Sequence, residues 1–215
     1  MKKINIRITL LDEMLGTMAG DPEIYSEFIA SNAPDAKSRE EEIAAIGVDA
    51  VVEKGMTVFP KFADGTPYMW DYQMRGFFKD SCSALQRCKG EDISKESCGL
   101  KAYKKIIDGC IFVEPRKIPI DLRGGMMDVC QRPLRGQTAQ GERIALASSE
   151  TVPEGSTMEL TVVCLSDAHE AAVIEWLNYG KYKGLLQWRN AGKGRFAYEI
   201  LDNDGNVIGG NKAEA

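Results

Sequence analysis

Ile4, Ile6, Ile8 and Leu10 alternate with Asn5, Arg7 and Thr9, the period-2 pattern of a strand with one buried face. Gly16 and Gly20 make the next residues a loop. Residues 22–32 and 37–46 read as short helices parted by Ala33-Pro34-Asp35, an acidic and solvated insertion. Residues 48–53 and 56–62 are β-branched or aromatic enough to pair around Lys54-Gly55, and Asp64-Gly65 marks a turn. After Asp71, the expected N-cap, Met74, Phe77, Phe78, Cys82, Leu85 and Cys88 recur at spacings of three and four, which predicts a helix with one apolar stripe. Residues 89–99 are polar and read as a loop.

Farther on, residues 111–113, 118–120 and 127–130 are short strand candidates broken by Pro115, Pro119 and Gly124-Gly125. Residues 132–150 are polar and basic with few core-formers, the pattern of a hairpin arm projecting from the sheet. Met158, Leu160, Val162 and Cys164 restore a strand alternation. Asp167 with Glu170 resembles a capping box for a second helix that buries Ala172, Val173, Trp176 and Leu177 and ends near Gly180. Residues 185–188 and 196–201 read as final strands around Gly192-Lys193-Gly194, Asp204-Gly205 closes a small hairpin, and residues 211–215 form a frayed tail. The order strand, helix, strands, strand, helix, strand predicts an α+β, ferredoxin-like (RRM-like) antiparallel sheet with two helices on one face. The insertions fall at 12–47 (acidic, helical) and 132–150 (basic arm), within one domain spanning 1–215.

Composition agrees with a globular chain: 44% of the 215 residues are hydrophobic and 27% charged, which excludes wholesale disorder and low-complexity architecture. No apolar run approaches the roughly 20 residues of a membrane helix, so a cytoplasmic protein with no membrane partner is expected. The six cysteines are too few for a disulfide scaffold and form no CxxC pair, so reduced, mostly buried thiols are expected.

Charge changes the picture more. The net charge is −5, which by itself argues against a nucleic-acid binder. Residues 12–53, however, hold eleven carboxylates against Lys37 and Arg39, and residues 101–143 hold nine cations against five carboxylates. Lys181, Lys183, Arg189, Lys193 and Arg195 then cluster with no carboxylate among them. Such a chain has two electrostatic faces.

Catalytic chemistry is sparse. His169 is the lone histidine and reads as part of a helix start, and the cysteine spacings of six and ten do not suit zinc. Nucleotide-loop and hydrolase motifs are absent from the sequence. No cofactor and no metal site is expected. Around the glycine-rich turn, Trp188 offers a stacking face and Arg189, Lys193, Gly194 and Arg195 offer cations and flexible backbone for phosphates, the combination that holds single strands. An ordinary core tryptophan and a plain strand-joining turn are the alternatives.

Three stretches resemble a known family. Arg132-Pro-Leu-Arg135-Gly-Gln-Thr-Ala-Gln-Gly-Glu-Arg143, the segment Glu150-Thr-Val-Pro153-Glu-Gly155 entering a strand, and Gly192-Lys193-Gly194-Arg195 near the end resemble the RAMP superfamily, which forms the backbone subunits of class 1 CRISPR effector complexes. The stretch from Gly65 through Arg75-Gly76 to Lys79 looks like that family's loop leading into a basic helix, with the cations in a different order. The resemblance runs from about Phe59 to Phe196. It implies a ferredoxin-like core, an extended arm, binding of single-stranded RNA or DNA, self-association into a helical oligomer, and contact with other effector-complex subunits. The acidic charge and short length point toward a stand-alone, phage-encoded relative.

The leading expectation is non-catalytic binding of a single strand, with Arg75, Lys79, Arg132, Arg135, Arg143, Arg189, Lys193 and Arg195 on phosphates and Trp188 stacking. A second is a protein-interaction module docking through its acidic segment. A third is a metal-dependent ribonuclease using Asp12 or Asp21, which lie in roughly the region after the first strand where the family's catalytic aspartate stands, with no flanking motif to pick either one out; solvated or structural aspartates are the simpler reading.

Overall fold

Ile4, Ile6, Ile8 and Leu10 are all buried on one face of β1 (Lys2–Leu10), and Asn5, Arg7 and Thr9 are half-buried on the other, as the alternation predicts. The computed structural model describes residues 1–20, 56–138 and 141–211. The expected helices within 22–46, the expected strand at 48–53 and the last four tail residues lie outside the described residues. After β1 come two-residue strands β2 (Met14–Leu15) and β3 (Met18–Ala19), where the glycines suggest only a loop. Next, β4 (Thr57–Val58) pairs antiparallel with β3, and the Asp64-Gly65 turn closes through the Phe62 N–H and the Thr66 carbonyl at 2.9 Å.

Strand β5 (Tyr68–Trp70) runs into α1 (Asp71–Leu85), whose Met74, Phe77, Phe78, Cys82 and Leu85 are buried as predicted. Cys88 is not; it lies exposed beyond the last turn. Asp71 is the first helical residue and not the cap. Trp70 holds the cap position, its N–H donating to Gln73 Oε1 at 2.9 Å, while Asp71 pairs with Arg75 one turn on. The expected loop at 89–99 contains a 3-10 turn (Asp92–Ser94) and the short helix α2 (Lys95–Gly99), and α3 (Tyr103–Cys110) follows.

Then come β6 (Ile111–Glu114), β7 (Lys117–Pro119), and the long hairpin of β8 (Asp128–Thr138) with β9 (Gly141–Val152), which is the expected arm. Its root is anchored: β9 pairs with β2 and β4, burying Ser148, Ser149, Thr151 and Val152. Strand β10 (Thr157–Cys164) leads through a 3-10 turn (Asp167–His169) into α4 (Glu170–Tyr179). Ser166 caps this turn by accepting from the Ala168 N–H, so the capping box expected of Asp167 is replaced by a serine one residue earlier. Strands β11 (Phe196–Leu201) and β12 (Val207–Gly210) form the closing hairpin.

The main sheet has the order β12-β11-β1-β10-β6, every neighbouring pair antiparallel. Leaving out the added edge strand β12, this is the fourth, first, third and second strand of a ferredoxin-like βαββαβ unit, with α1 and α4 as its helices. Both helices share one apolar core with the inner face of the sheet. Phe78 meets Trp176 with ring centroids 5.5 Å apart, and Phe77 meets Phe196 at 5.2 Å, so aromatic contacts lock α1 to α4 and β11.

The thiols are free, but only Cys82 and Cys164 are buried; Cys110 and Cys130 are half-buried, and Cys88 and Cys98 are exposed. Burial, reinforced by the nearby charges of Glu170 and Asp167, pushes Cys164 up from 9.0 to about 11. The raised value makes this thiol a source of stability that falls as pH rises from about 9 toward about 11, because the unfolded thiol ionises first. Mass-resolved alkylation at pH 8 is therefore expected to label Cys88 and Cys98 in the folded protein, and Cys164 only after denaturant is added. Early labelling of Cys164 would contradict its burial.

Candidate nucleic-acid interface

RNA-recognition modules stack bases on aromatic side chains of their open sheet face. Here the central strands carry ions and amides instead. Arg7 lies between Glu159 (2.8 Å) and Glu199 (3.9 Å), and Asn5 accepts from the Thr161 hydroxyl at 2.9 Å. The RRM-like character is one of topology, and the expected grouping of an aromatic ring with cations lies elsewhere.

It gathers where the loop after α4 meets the root of the arm. The segment read as a strand at 185–188 is a loop, because Leu186 (φ 59°) and Trp188 (φ 55°) are both left-handed, a conformation that costs a non-glycine residue about 1 kcal/mol or more. Contacts to the turn after β1 hold it. Leu185 N–H donates to Gly194 O at 2.9 Å, Gly194 N–H to Glu13 O at 2.8 Å, and Gln187 Nε2 to Gly16 O at 2.7 Å. Gly184 and Gly194 are required here: a Cβ on Gly184 would lie 2.0 Å from Lys193 O, and one on Gly194, at φ 71°, would lie 2.5 Å from Leu185 O.

Several of the expected phosphate ligands also make contacts within the chain. The amides of Gly192 and Gly194 donate to the carbonyls of Arg189 and Glu13, so they are already used. Arg195 pairs with Asp12 at 2.7 Å, Lys193 with Glu13, and Arg189 with Asp80 on α1 at 2.5 Å. On the same helix, Arg75 pairs with Asp71 at 3.3 Å and Lys79 with Asp108 at 2.5 Å. Asp12 is thus the counter-ion of Arg195, and Asp21 lies outside the described residues. Among the described residues no group of three His, Cys, Asp or Glu side chains is arranged to hold a metal ion.

Two expected site residues do come together. Arg132, on β8, lays its guanidinium over the indole of Trp188, 4.0 Å from the ring centroid. No carboxylate among the described residues pairs with it, and its Nε and Nη1 are shielded from water without an acceptor. Trp188 keeps 38% of its surface exposed. A guanidinium stacked on indole is attracted by roughly 0.5–2 kcal/mol, so the pair presents a cation beside an open aromatic edge. Farther along the arm, Arg135 stands opposite Ile144 and Arg143 opposite Gly136; their side chains lie outside the described residues.

No family model matches the chain, and no curated protein matches it. Among solved structures it is similar to a chain in a cryo-EM structure of the Type III-B Cmr-beta bound to cognate target RNA. The identity is 12%, the TM-score 0.48, and the match covers 93% of this chain and 58% of that one. The present chain therefore spans less than two thirds of the length of the chain it matches.

Sequence reasoning missed a second aromatic group. Phe62, Tyr68, Trp70 and Tyr72 form a continuous strip, with successive centroids 4.7, 5.2 and 6.1 Å apart. Lys117 Nζ stands within 5.1–5.8 Å of the Phe62, Tyr68 and Trp70 rings, and Arg116 lies 5.6 Å from Trp70. The signal for part of it was present: Tyr68 and Trp70 are two residues apart, hence on one face of a strand. The cations arrive only through the pairing of β5 with β7, which sets Trp70 opposite Lys117.

Proposed function

We propose that this protein binds single-stranded nucleic acid, RNA before DNA, without cleaving it, and that it associates head to tail along the strand in the manner of RAMP backbone subunits. The observation that carries the reading is the Arg132–Trp188 stack, a guanidinium with no carboxylate partner among the described residues on a half-open indole at the root of a basic arm. Stacking on an aromatic ring contributes about 1–3 kcal/mol per base, and an adjacent arginine adds phosphate neutralisation and cation–π attraction. The left-handed backbone of Trp188 supports the same reading, since strain of this kind collects where a side chain is held for a ligand.

Cations already neutralised by a carboxylate release few counterions, so the roles of the expected residues separate. In fluorescence anisotropy with a labelled oligouridine, Arg132→Ala is expected to weaken binding and to reduce the slope of log K against log salt by about 0.7. Arg195→Ala, which removes one half of the pair with Asp12, is expected to leave that slope nearly unchanged. Equal slopes for wild type and Arg132→Ala, or binding indifferent to salt, would defeat the proposal. Size-exclusion mass with and without the strand tests the assembly part, which requires a larger species only when nucleic acid is present.

A further inference from the structure

The strip Phe62–Tyr68–Trp70–Tyr72 is not explained by the core. Arg116, Lys117 and Tyr72 are exposed, and neither Arg116 nor Lys117 has a carboxylate partner among the described residues. That sets them apart from Arg75, Lys79, Arg189, Lys193 and Arg195, which are all ion-paired. Tyr72 is 52% exposed and lies nearly parallel to Trp70, with 19° between their planes. It forms the outer ring of a stack whose inner members are fixed: Tyr68 is buried, and Trp70 caps α1 and pairs across to Lys117.

The strip is tied to the Arg132–Trp188 site through two consecutive residues. Gln187, next to Trp188, donates to the Gly16 carbonyl, and Gln73, whose Oε1 holds the Trp70 N–H, donates to the Thr17 hydroxyl at 2.9 Å. The turn between β2 and β3 therefore carries one aromatic–cation cluster on each of two adjoining residues. A ligand that satisfies both must offer flat π faces and a run of negative charge. A single strand of nucleic acid does so, because each nucleotide supplies one of each.

We infer that the aromatic strip is a second contact on the same strand, in which a base extends the Trp70–Tyr72 stack and Arg116 and Lys117 take flanking phosphates. The inference rests on the single-strand reading and adds to it a site and a chemistry that separates bases from phosphates. Two exposed-surface variants test it in the full-length protein, using labelled oligouridine and an abasic deoxyribose-phosphate strand of the same length. Tyr72→Ala is expected to weaken oligouridine binding about tenfold and to leave the abasic strand unaffected. Arg116→Ser/Lys117→Ser is expected to weaken both strands and to lower the salt slope by about 1.4, two phosphate contacts' worth.

Thermal melting of each variant controls for folding, and these side chains lie on the surface. Wild-type oligouridine affinity in both variants, with Arg132→Ala still impaired, overturns the strip and leaves the single-strand reading standing. Equal loss on the two strands in Tyr72→Ala overturns the stacking role. Indifference of binding to Arg132, Tyr72, Arg116 and Lys117 together overturns both proposals.

Discussion

Glu175→Ala is expected to lower the free energy of unfolding by about 3 kcal/mol, since a buried donor that loses its acceptor costs about 1–3 kcal/mol and this change orphans three. Glu175 is a buried residue of α4, and its carboxylate accepts from the Glu96 N–H at 2.8 Å, the Ser97 N–H at 2.9 Å and the Ser97 hydroxyl. Those two amides are the free donors at the start of α2, and a negative charge there complements the helix dipole. The local Ser94 makes no side-chain cap: its hydroxyl is turned toward the Cys88 and Glu91 carbonyls and its oxygen accepts from the Cys98 thiol. The Ser97 hydroxyl in turn accepts from the Trp176 indole N–H at 3.0 Å, so the same change loosens the largest fully buried side chain in the core. In urea unfolding, Glu175→Gln, which keeps one acceptor oxygen, is expected to fall between wild type and Glu175→Ala. The corresponding drop in Tm for Glu175→Ala is about 6–12 °C. A Glu175→Ala variant as stable as wild type would show that α2 does not depend on this carboxylate.

That contact also explains where the sequence could and could not be read. Strands β1, β10 and β11 and helices α1 and α4 were legible because their apolar residues repeat at 2 or at 3–4 over enough positions to define a face. Helix α2 was not, because its five residues show no such stripe and its cap comes from Glu175, 78 and 79 residues away. The segment 185–188 misled in the opposite sense. Leu-Leu-Gln-Trp looks like a strand, but hydrogen bonds to the turn after β1 fold it through two left-handed residues. The site divided likewise. Arg132 and Trp188 were legible as a basic and an aromatic residue, yet their contact arises only when the arm's root packs beside the loop. The pairing of Arg75 with Asp71 is an i, i+4 contact that the helix itself supplies, but the carboxylates of Arg189, Lys193 and Arg195 lie far away in sequence, up to 183 residues for Arg195 and Asp12. Composition counts those cations as free charges; in the fold Arg189, Lys193 and Arg195 tie the loop to α1 and to the turn after β1.

The weakest point of the loop is the glycine against which it closes, and Gly184→Ala is expected to cost at least as much affinity as removal of the Trp188 side chain. The added methyl would lie 2.0 Å from Lys193 O, 2.4 Å from Gly194 C and 2.6 Å from Arg195 N, all of them backbone atoms that cannot rotate away. The segments around Leu185 and Gly194 must separate, which breaks the Leu185–Gly194 and Gly194–Glu13 hydrogen bonds and releases Trp188 from its place beneath Arg132. Overpacking of this kind destabilises by about 1–3 kcal/mol, at the upper end where backbone is involved. Trp188→Ala removes only the stacking face, so its loss of oligouridine affinity is expected to be about tenfold with a melting temperature near that of wild type. Gly184→Ala is expected to lose at least as much affinity and to melt earlier, while the far-UV circular dichroism of the sheet and helices persists below the transition. Wild-type melting and affinity in Gly184→Ala would mean that the two backbone segments do not approach as described. An earlier melt with undiminished affinity would separate the loop from binding and leave the arm, with Arg135 and Arg143, as the place to look for the strand.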